Sequence, residues 1–475
     1  MTSYKLLIDG RLVDGALDLG VIDPASGEVF ATCARADLAQ LEQAIAAAKR
    51  AFPAWARRGQ AEWREHVRRL ADALEARRDE IAQVIVREQG KPAMMAVYEI
   101  IAAVADMRLY SDLSLADETL RDTDKEKILQ TFPPLGVVAA ITPWNFPLAA
   151  ITGKLAPALM AGNTVVVKPA PTTPLTACLL GEIAADILPP GVLNIIIDDN
   201  DLGTALTSHP DIAKISFTGS TETGKRVMSS ASATLKRLTL ELGGNDAAIV
   251  LDDVDIAAVA PMVFRAATVN SGQVCLATKR VYVPRAMYDA FCGALERIAE
   301  MVVVGDGADP ATHIGPLQNE RHYRKVLALI DSAREDGGIV WGGEPLNRPG
   351  YFVRPAVVRN LPDASRLVSE EQFAPVIPVL AYDTIDEVIA RVNDTQFGLG
   401  GTVWAGDPDR GQEVAQKIES GIVWVNRCLE MMFEAPHGGA KQSGIGVESG
   451  LEGLKAFTQS KIVSIAKQPV SAGAR

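Results

Sequence analysis

The sequence predicts an α/β protein that has a mostly parallel sheet and at least two lobes. From Lys127 onward, short β-branched runs alternate with helical segments, and this alternation is typical of βαβ units. The chain has 475 residues, which is more than one growing hydrophobic core usually holds. Hydrophobic residues make up 48% and charged residues 22%, so a large core can be buried.

The N-terminal third is predicted to be helical. Asp37 is expected to cap the first helix, the second is expected to run from Gln60 to Gln89, and the third from Ala93 to Leu113. Farther along, helices are expected to start near Thr173 and Glu222. Six buried strands are predicted in the segments GVVAAIT, NTVVVKP, VLNIII, AKISFTG, LKRLTLEL and DAAIVL.

Composition excludes several classes of protein. A net charge of −12 argues against a nucleic-acid surface, which needs clustered Lys and Arg. The stretch from Phe132 to Gly153 is uncharged, but Pro133, Pro134, Pro143 and Pro147 would break a spanning helix, so no membrane segment is expected. The charged N-terminus lacks the apolar core of a secretory signal, which predicts a cytoplasmic protein.

No metal site is expected from the sequence. The five cysteines include no C-x-x-C pair, and the five histidines include no H-E-x-x-H motif. An odd number of cysteines also argues against a disulfide framework.

Gly219 to Gly224, in FTGSTETGKR, follows a predicted strand and opens a predicted helix. Backbone N–H groups at a helix N-terminus favour an anion, so a phosphate contact is preferred to a plain turn. The segment is not a P-loop, because Arg226 occupies the Ser/Thr position, and it does not match G-x-G-x-x-G.

Three residues in apolar surroundings are candidates for catalysis. Cys275 in NSGQVCLATKR is either an inert buried thiol or a nucleophile beside a flexible turn. Glu241 in LTLELGGND is either a general base or an acid at a strand end that is solvated or ion-paired. Asn145 in ITPWNFP is either an oxyanion donor or an ordinary turn residue.

Seven segments in chain order resemble the aldehyde dehydrogenase superfamily, specifically its non-CoA-acylating branch. The resemblance covers the chain from about Asp9 to the C-terminus. The segments are PWNFP, KPAP after NTVVV, FTGST with the following TG, LELGG, GQVC, EEQFAPV and PHGGAKQSGIGVESG.

The resemblance implies NAD(P)-dependent oxidation of an aldehyde to its acid. Cys275 would be the nucleophile, Asn145 an oxyanion donor with the Cys275 N–H, and Glu241 the base that activates the hydrolytic water. Glu448 matches a family glutamate that is sometimes placed in a proton relay. A metal is not implied.

The resemblance also implies a dinucleotide site, with Lys168 at the adenosine ribose and Glu371 at the nicotinamide ribose. Its expected members are Ile141, Thr142, Pro143, Trp144, Lys168, Gly219, Ser220, Thr223, Leu242, Glu371 and Phe373. NAD is the expected cofactor. NADP is a second candidate, because Pro171 stands where NAD-preferring members usually have Glu.

The family implies a tunnel through which the aldehyde enters. The residues expected to line it here are mostly apolar and two of them are very small, which predicts a bulky hydrophobic substrate. Its expected lining is Ala150, Gly153, Val274, Leu276, Met431, Phe433 and His437. His437 replaces a common Phe and is expected to be a packed ring rather than a catalytic group.

The expected architecture is a Rossmann-like dinucleotide-binding domain (1–111 and 134–242), a second α/β catalytic domain (243–440) and a small β oligomerisation element (112–133 and 455–475). The family implies a homodimer or homotetramer. Two alternatives stay open: a cofactor-independent cysteine hydrolase or esterase, which leaves Lys168 and Glu371 unexplained, and a catalytically silent binding protein, which would be expected to lack a catalytic residue.

Overall fold

The computed structural model describes residues 4–430 and 432–468. Within these ranges the fold is α/β, as the sequence predicts, with two large sheets that each carry helices on their faces. The helices are Leu38–Ala56, Gln60–Ala76, Arg78–Gln89, Ala93–Asp112, Ala149–Met160, Leu175–Ala185, Gly203–Ser208, Thr221–Ala231, Ile256–Thr268, Tyr288–Met301, Glu320–Glu335, Arg366–Ser369, Ile385–Asn393, Pro408–Ala415 and Gly450–Lys455.

The first large sheet has eight strands in the described part of the chain, and its five central strands run parallel. The central strands are largely buried because helices cover both faces. In spatial order the strands are Arg11–Val13, Leu6–Ile8, Leu193–Ile195, Thr164–Lys168, Val137–Ile141, Ile212–Thr218, Arg237–Glu241 and Gly444–Ile445.

The second large sheet has seven strands over the same described ranges. It is parallel except for the antiparallel pair at one edge. In spatial order the strands are Ile339–Gly342, Ala356–Arg359, Val376–Tyr382, Arg280–Pro284, Ala247–Val250, Gly400–Trp404 and Ile422–Val425. Separate apolar clusters lie on its two faces.

Three smaller sheets complete the fold. A hairpin of Glu118–Asp122 and Glu126–Thr131 pairs antiparallel with Lys461–Ala466, which joins the two segments that the sequence assigns to one β element. The strands Leu17–Asp23 and Glu28–Arg35 form a second sheet, and Phe397–Gly398 pairs with Ala440–Lys441.

Two sequence predictions about the N-terminal third are wrong. Residues 6–35 form strands rather than helix. The helix expected from Gln60 to Gln89 is interrupted at Arg77, which has φ −100° and ψ 16° and separates Gln60–Ala76 from Arg78–Gln89. The Arg77 guanidinium pairs with Glu80 and with the distant Glu182, a tertiary contact that helical periodicity does not report.

The Asp37 cap is confirmed. Its side chain accepts a hydrogen bond from the Gln40 N–H, and Gln40 completes a capping box.

In the described ranges, no helix is long and apolar enough to cross a membrane.

Candidate active site

Cys275 follows a backbone segment of unusual conformation. After helix Ile256–Thr268, the residues Asn270, Ser271 and Gly272 have φ values of 51°, 58° and 71°. A Cβ on Gly272 would lie 2.3 Å from the backbone of Ala374, so this close approach requires glycine. The strained turn brings the cysteine out of the helix, as expected of a thiol beside a flexible turn.

The Cys275 side chain is partly exposed, whereas Cys33, Cys178 and Cys292 are buried. Burial is the largest influence on the Cys275 thiol and raises its pKa to about 12, helped by the charges of Asp246 and Glu241. The thiol is therefore protonated at neutral pH, and it could act as a nucleophile only if another group accepted its proton.

Lys279 was not among the sequence candidates, yet it supports the cysteine loop. It is 1% exposed and donates hydrogen bonds to the carbonyl oxygens of Val274 (3.0 Å) and Cys275. Its ammonium also lowers the pKa of the thiol. A lysine four residues after the cysteine, just before the strand RVYVP, is the sequence signal that could have identified it.

Asn145 lies against the same loop. Its Nδ2 donates a hydrogen bond to the Gln273 carbonyl oxygen at 2.9 Å, and its side chain is 5% exposed. An amide nitrogen carries two hydrogens, so one remains for another acceptor. The structure thus brings Asn145 and the cysteine loop together.

The backbone of Asn145 is held by a buried ion pair that the sequence did not suggest. Lys91 Nζ donates to the Asn145 carbonyl oxygen at 2.8 Å and to Glu99 Oε2 at 2.6 Å. Both charged side chains are 0% exposed. Glu99 Oε1 also accepts from the N–H groups of Leu148 and Ala149, at the start of helix Ala149–Met160.

Glu241 ends its strand as predicted and is 8% exposed. Its Oε1 receives no hydrogen bond from the described residues. Burial raises its pKa well above the usual value, and the Glu448 charge raises it further, while Lys154 opposes both. The buried carboxyl therefore keeps its proton to a higher pH than an ordinary glutamic acid does.

Among charged groups, Glu448 has the largest influence on the pKa of Glu241. Its Oε1 accepts hydrogen bonds from Lys154 Nζ at 2.6 Å and from Ser216 Oγ at 3.3 Å. Burial is the largest influence and disfavours its charge, but Lys154, His437 and Lys214 together hold the Glu448 pKa below the usual range. His437 pairs with Glu448 through two backbone hydrogen bonds, and burial lowers the pKa of its half-buried ring.

The Gly-rich segment forms a strand-to-helix turn. Gly219 follows strand Ile212–Thr218, and Ser220 caps helix Thr221–Ala231 by accepting from the Thr223 N–H at 3.3 Å. The first N–H groups of this helix lack intrahelical acceptors, which suits an anion. Leu242 packs directly against the helix: a Cβ on Gly224 would lie 2.4 Å from it.

Lys168 ends strand Thr164–Lys168, beside Ile141 and Thr142 at the end of the adjacent strand Val137–Ile141. Its Nζ lies 2.7 Å from Asp198 Oδ1 in an ion pair, and the Asp198 side chain is 0% exposed. Asp198 was not a sequence candidate. The hydroxyl of Thr142 is buried and has no hydrogen-bond partner among the described residues.

Trp144 and Phe373 meet edge to face, with ring centroids 5.5 Å apart, and His322 contacts both rings. The Phe373 carbonyl oxygen lies 2.8 Å from His322 Nε2. Burial lowers the His322 pKa to about 4, so this ring is neutral. Pro143 directly precedes the cluster and is partly exposed.

Glu371 reaches across to the end of strand Arg237–Glu241. Its Oε1 accepts from the Gly244 N–H at 3.1 Å, and a Cβ on Gly243 would lie 2.5 Å from its Oε2. Lys279 Nζ is 3.7 Å from the same carboxylate. Glu371, a candidate cofactor residue, therefore lies close to Lys279, the lysine that supports the cysteine loop.

The predicted tunnel residues fall into two groups. Val274 and Leu276 flank the cysteine and are almost fully buried, in one cluster with Phe146 and Trp424. Ala150, Gly153, Phe433 and His437 are partly exposed. Met431 lies outside the described residues.

The described residues contain no group of three or more His, Cys, Asp or Glu side chains that could hold a metal ion.

Comparisons with known proteins extend over nearly the whole chain. A sequence model of the aldehyde dehydrogenase family matches residues 13–463. The chain is 37% identical to a 2-aminomuconic semialdehyde dehydrogenase from Bos taurus, covering 96% of this chain and 97% of that one. The protein of the same name from Homo sapiens is 35% identical over 96% and 97% of the two chains.

Solved structures are similarly close. A variant of an aldehyde dehydrogenase from Bacillus cereus superposes with a TM-score of 0.96 at 35% identity, covering 98% of this chain and 97% of that one. A variant of betaine aldehyde dehydrogenase from Staphylococcus aureus, in complex with NAD+, gives a TM-score of 0.95 at 32% identity, with coverage of 99% and 97%.

Proposed function

We propose that this chain, which belongs to the aldehyde dehydrogenase family, oxidises an aldehyde to the carboxylic acid through a thioester on Cys275. The observation that carries the proposal is the juxtaposition of three groups. Asn145 is hydrogen-bonded to the Cys275 loop, and Glu241 lies close enough for its charge to raise the thiol pKa. A cysteine hydrolase and a silent binding protein are not supported by these relatives.

In this mechanism, Glu241 or a water next to it takes the proton of the Cys275 thiol, and the sulfur attacks the aldehyde carbon. The resulting oxyanion accepts hydrogen bonds from the second hydrogen of Asn145 Nδ2 and from the Cys275 backbone N–H. After oxidation to the thioester, Glu241 accepts a proton from water, which then attacks the acyl carbon and releases the acid. Glu448 and Lys154 set the proton affinity of Glu241.

A dinucleotide fits the residues around this centre. The first N–H groups of helix Thr221–Ala231 suit a phosphate, since Ser220 caps only that of Thr223. The buried Thr142 hydroxyl has no described partner, and the Glu371 carboxylate lies over glycine backbone. Lys168 would hold the adenosine ribose and Glu371 the nicotinamide ribose. When bound, the nicotinamide accepts the hydride that leaves the aldehyde carbon.

NAD+ is the preferred dinucleotide in this proposal. Pro171 lacks the carboxylate expected to meet the ribose hydroxyls, but Asp198 supplies a carboxylate next to Lys168. Because Asp198 already neutralises Lys168, this lysine attracts a phosphate on the ribose 2′-hydroxyl less strongly than a free ammonium would, whereas a free hydroxyl does not depend on that charge. Asp198 therefore takes the place of the missing acid at Pro171.

The substrate of this proposal is a bulky aldehyde. Ala150 and Gly153 form a partly exposed helix face with little side-chain volume, and a Cβ on Gly153 would meet only one atom within 4 Å. Val274 and Leu276 provide apolar surface beside the thiol.

The sheets support a division into domains, except that strand Gly444–Ile445 joins the eight-stranded sheet from outside the bounds below. We assign the eight-stranded sheet to dinucleotide binding (1–111 and 134–242), the seven-stranded sheet to catalysis (243–440), and the three-stranded sheet to oligomerisation (112–133 and 455–475). Leu120, Ile462 and Ile465 are large apolar side chains exposed on that last sheet, which favours a homodimer or homotetramer. Free buried thiols at Cys33, Cys178 and Cys292 fit a reducing compartment, the cytoplasm.

Turnover with benzaldehyde and NAD+, followed by nicotinamide absorbance, tests the function. Cys275→Ala should abolish turnover, whereas Cys428→Ala, at the other partly exposed cysteine, should retain it. Glu241→Gln should accumulate a benzoyl adduct on the Cys275 peptide, detectable by mass spectrometry. Turnover by Cys275→Ala, or no turnover of any aldehyde by the wild type, would overturn the proposal.

A further inference from the structure

Asp106 is a buried acid that the mechanism above does not use. It lies on the inner side of helix Ala93–Asp112 and is 6% exposed. Its Oδ1 is buried and receives no hydrogen bond from the described residues. A buried carboxyl group without a donor is costly, so a partner from outside the chain would have to bond to the other oxygen, Oδ2.

The other carboxyl oxygen, Asp106 Oδ2, faces the open side of helix Ala149–Met160. A Cβ built on Gly153 would lie 3.7 Å from Oδ2 and within 4 Å of no other atom outside its own helix. Gly153 is partly exposed, as are Ala149 and Ala150 one turn earlier. The space beside Gly153 is therefore open, and a carboxylate forms its boundary.

This space adjoins the proposed catalytic centre. Helix Ala149–Met160 begins four residues after Asn145, and its Lys154, next to Gly153, pairs with Glu448. Burial, and then the Glu448 charge, raise the pKa of Asp106 to about 7. Glu448 thus acts on Asp106 and on Glu241 alike, which places all three acids in one electrostatic neighbourhood.

We propose that Asp106 is a specificity-determining residue, which accepts a hydrogen bond from a hydroxyl or ammonium group on the aldehyde, in the space beside Gly153. This inference rests on the proposed function and refines its substrate class. The substrate is a bulky aldehyde with an apolar body and one hydrogen-bond donor away from the carbonyl. A site built to bond such a donor discriminates against the analogue that lacks it, because the acceptor is then left unpaired.

Three benzaldehydes of equal size test this inference, with hydroxymethyl, aminomethyl or ethyl groups placed para or meta. We expect the wild type to favour the hydroxymethyl or aminomethyl compound over the ethyl compound by about tenfold in kcat/KM. Asp106→Ala should bring that ratio to about one by raising KM for the donor substrates, with kcat and the ethyl substrate little changed. Asp106→Asn, which keeps the shape, should weaken the ammonium preference most.

Asp112→Asn is the matched control, because Asp112 is on the same helix and its side chain is exposed. Thermal melting of each variant checks folding. If the wild type oxidises all three aldehydes equally and Asp106→Ala changes no ratio, the inference is overturned and water is the partner of Asp106. If the wild type oxidises benzaldehyde but none of the three, the inference is also overturned, whereas no turnover of any aldehyde would overturn the proposed function itself.

Discussion

The Lys154 ammonium donates a hydrogen bond to the Glu448 carboxylate at 2.6 Å, and this ion pair acts on the buried Glu241 carboxyl. The two members push in opposite directions: the Glu448 charge raises the Glu241 pKa and the Lys154 charge lowers it. Because residues 294 positions apart form the pair, only the folded chain creates this balance.

Glu448→Gln should move the acid limb of the kcat profile to lower pH. The substitution removes a negative charge that raises the Glu241 pKa, so Glu241 would lose its proton, and become a competent base, at a lower pH. Steady-state kcat measured against pH, with hydrolysis of the thioester rate-limiting, reports the midpoint. Glu452→Gln, at an exposed acid nearby, is the control. An unchanged or higher midpoint in Glu448→Gln would contradict this electrostatic role.

Alkylation of Cys275 in the dinucleotide-free protein should accelerate about tenfold for each pH unit throughout the neutral and mildly alkaline range. The thiol pKa is about 12, so the thiolate fraction rises continuously below that pH. Iodoacetamide labelling, followed by peptide mass spectrometry, separates Cys275 from Cys428. A plateau near pH 8 to 9, as for an unperturbed thiol, would show that burial does not control this cysteine.

Asn145→Ala should lower kcat by about 10²–10³, the usual effect of losing one oxyanion donor. The Cys275 loop should remain in place, since Asn270 Nδ2 also donates to the Gln273 carbonyl oxygen at 3.3 Å. Stopped-flow absorbance in the first turnover isolates the chemical step. A drop in kcat/KM with an unchanged first-turnover rate would assign Asn145 to substrate binding instead.

The fold was predictable where local patterns and tertiary structure agree. Strand Val137–Ile141 and the cap at Asp37 follow from residue type and spacing. The break at Arg77 was not predictable, because no Gly or Pro marks it and its ion pair with Glu182 is tertiary. The strands within residues 6–35 were missed because they are short or half-exposed and one of them pairs with a strand far along the chain.

The residues of the candidate site also divide into those that the sequence predicts and those that only the fold reveals. Cys275, Glu241 and Asn145 occupy motifs that a sequence displays. Lys279, Lys91 and Asp198 were missed because a buried charge is recognised by its partners, and these partners are backbone carbonyls or oppositely charged side chains that only the folded chain reveals. The pKa of Cys275 likewise depends on burial, which the motif does not encode.

Asp198→Asn should bring NADP+ binding closer to NAD+ binding. The change removes the negative charge beside Lys168 but keeps an oxygen that can accept its hydrogen bond. We expect the Kd of NADP+ to fall by roughly tenfold, with a much smaller change for NAD+. Tryptophan fluorescence or calorimetry measures both constants without turnover.

Asp199→Asn is the matched control for Asp198→Asn, because it removes the same charge from the adjacent side chain, which is 57% exposed. It should leave the ratio of the two Kd values unchanged. Equal effects of both substitutions would indicate a general charge effect and remove Asp198 from the explanation of cofactor preference.

Gly272→Ala should damage both stability and catalysis. The new Cβ would lie 2.3 Å from the Ala374 backbone at a residue with φ of 71°, so the cysteine loop must shift. Such strain costs about 1–3 kcal/mol, and a displaced thiol should lower kcat at least about tenfold. Gly203→Ala, where a Cβ meets nothing within 4 Å, should stay within about 0.5 kcal/mol of the wild type and keep full activity. Chemical denaturation gives the free energy of unfolding of each variant, and a fully active Gly272→Ala would show that the turn before Cys275 does not position the thiol.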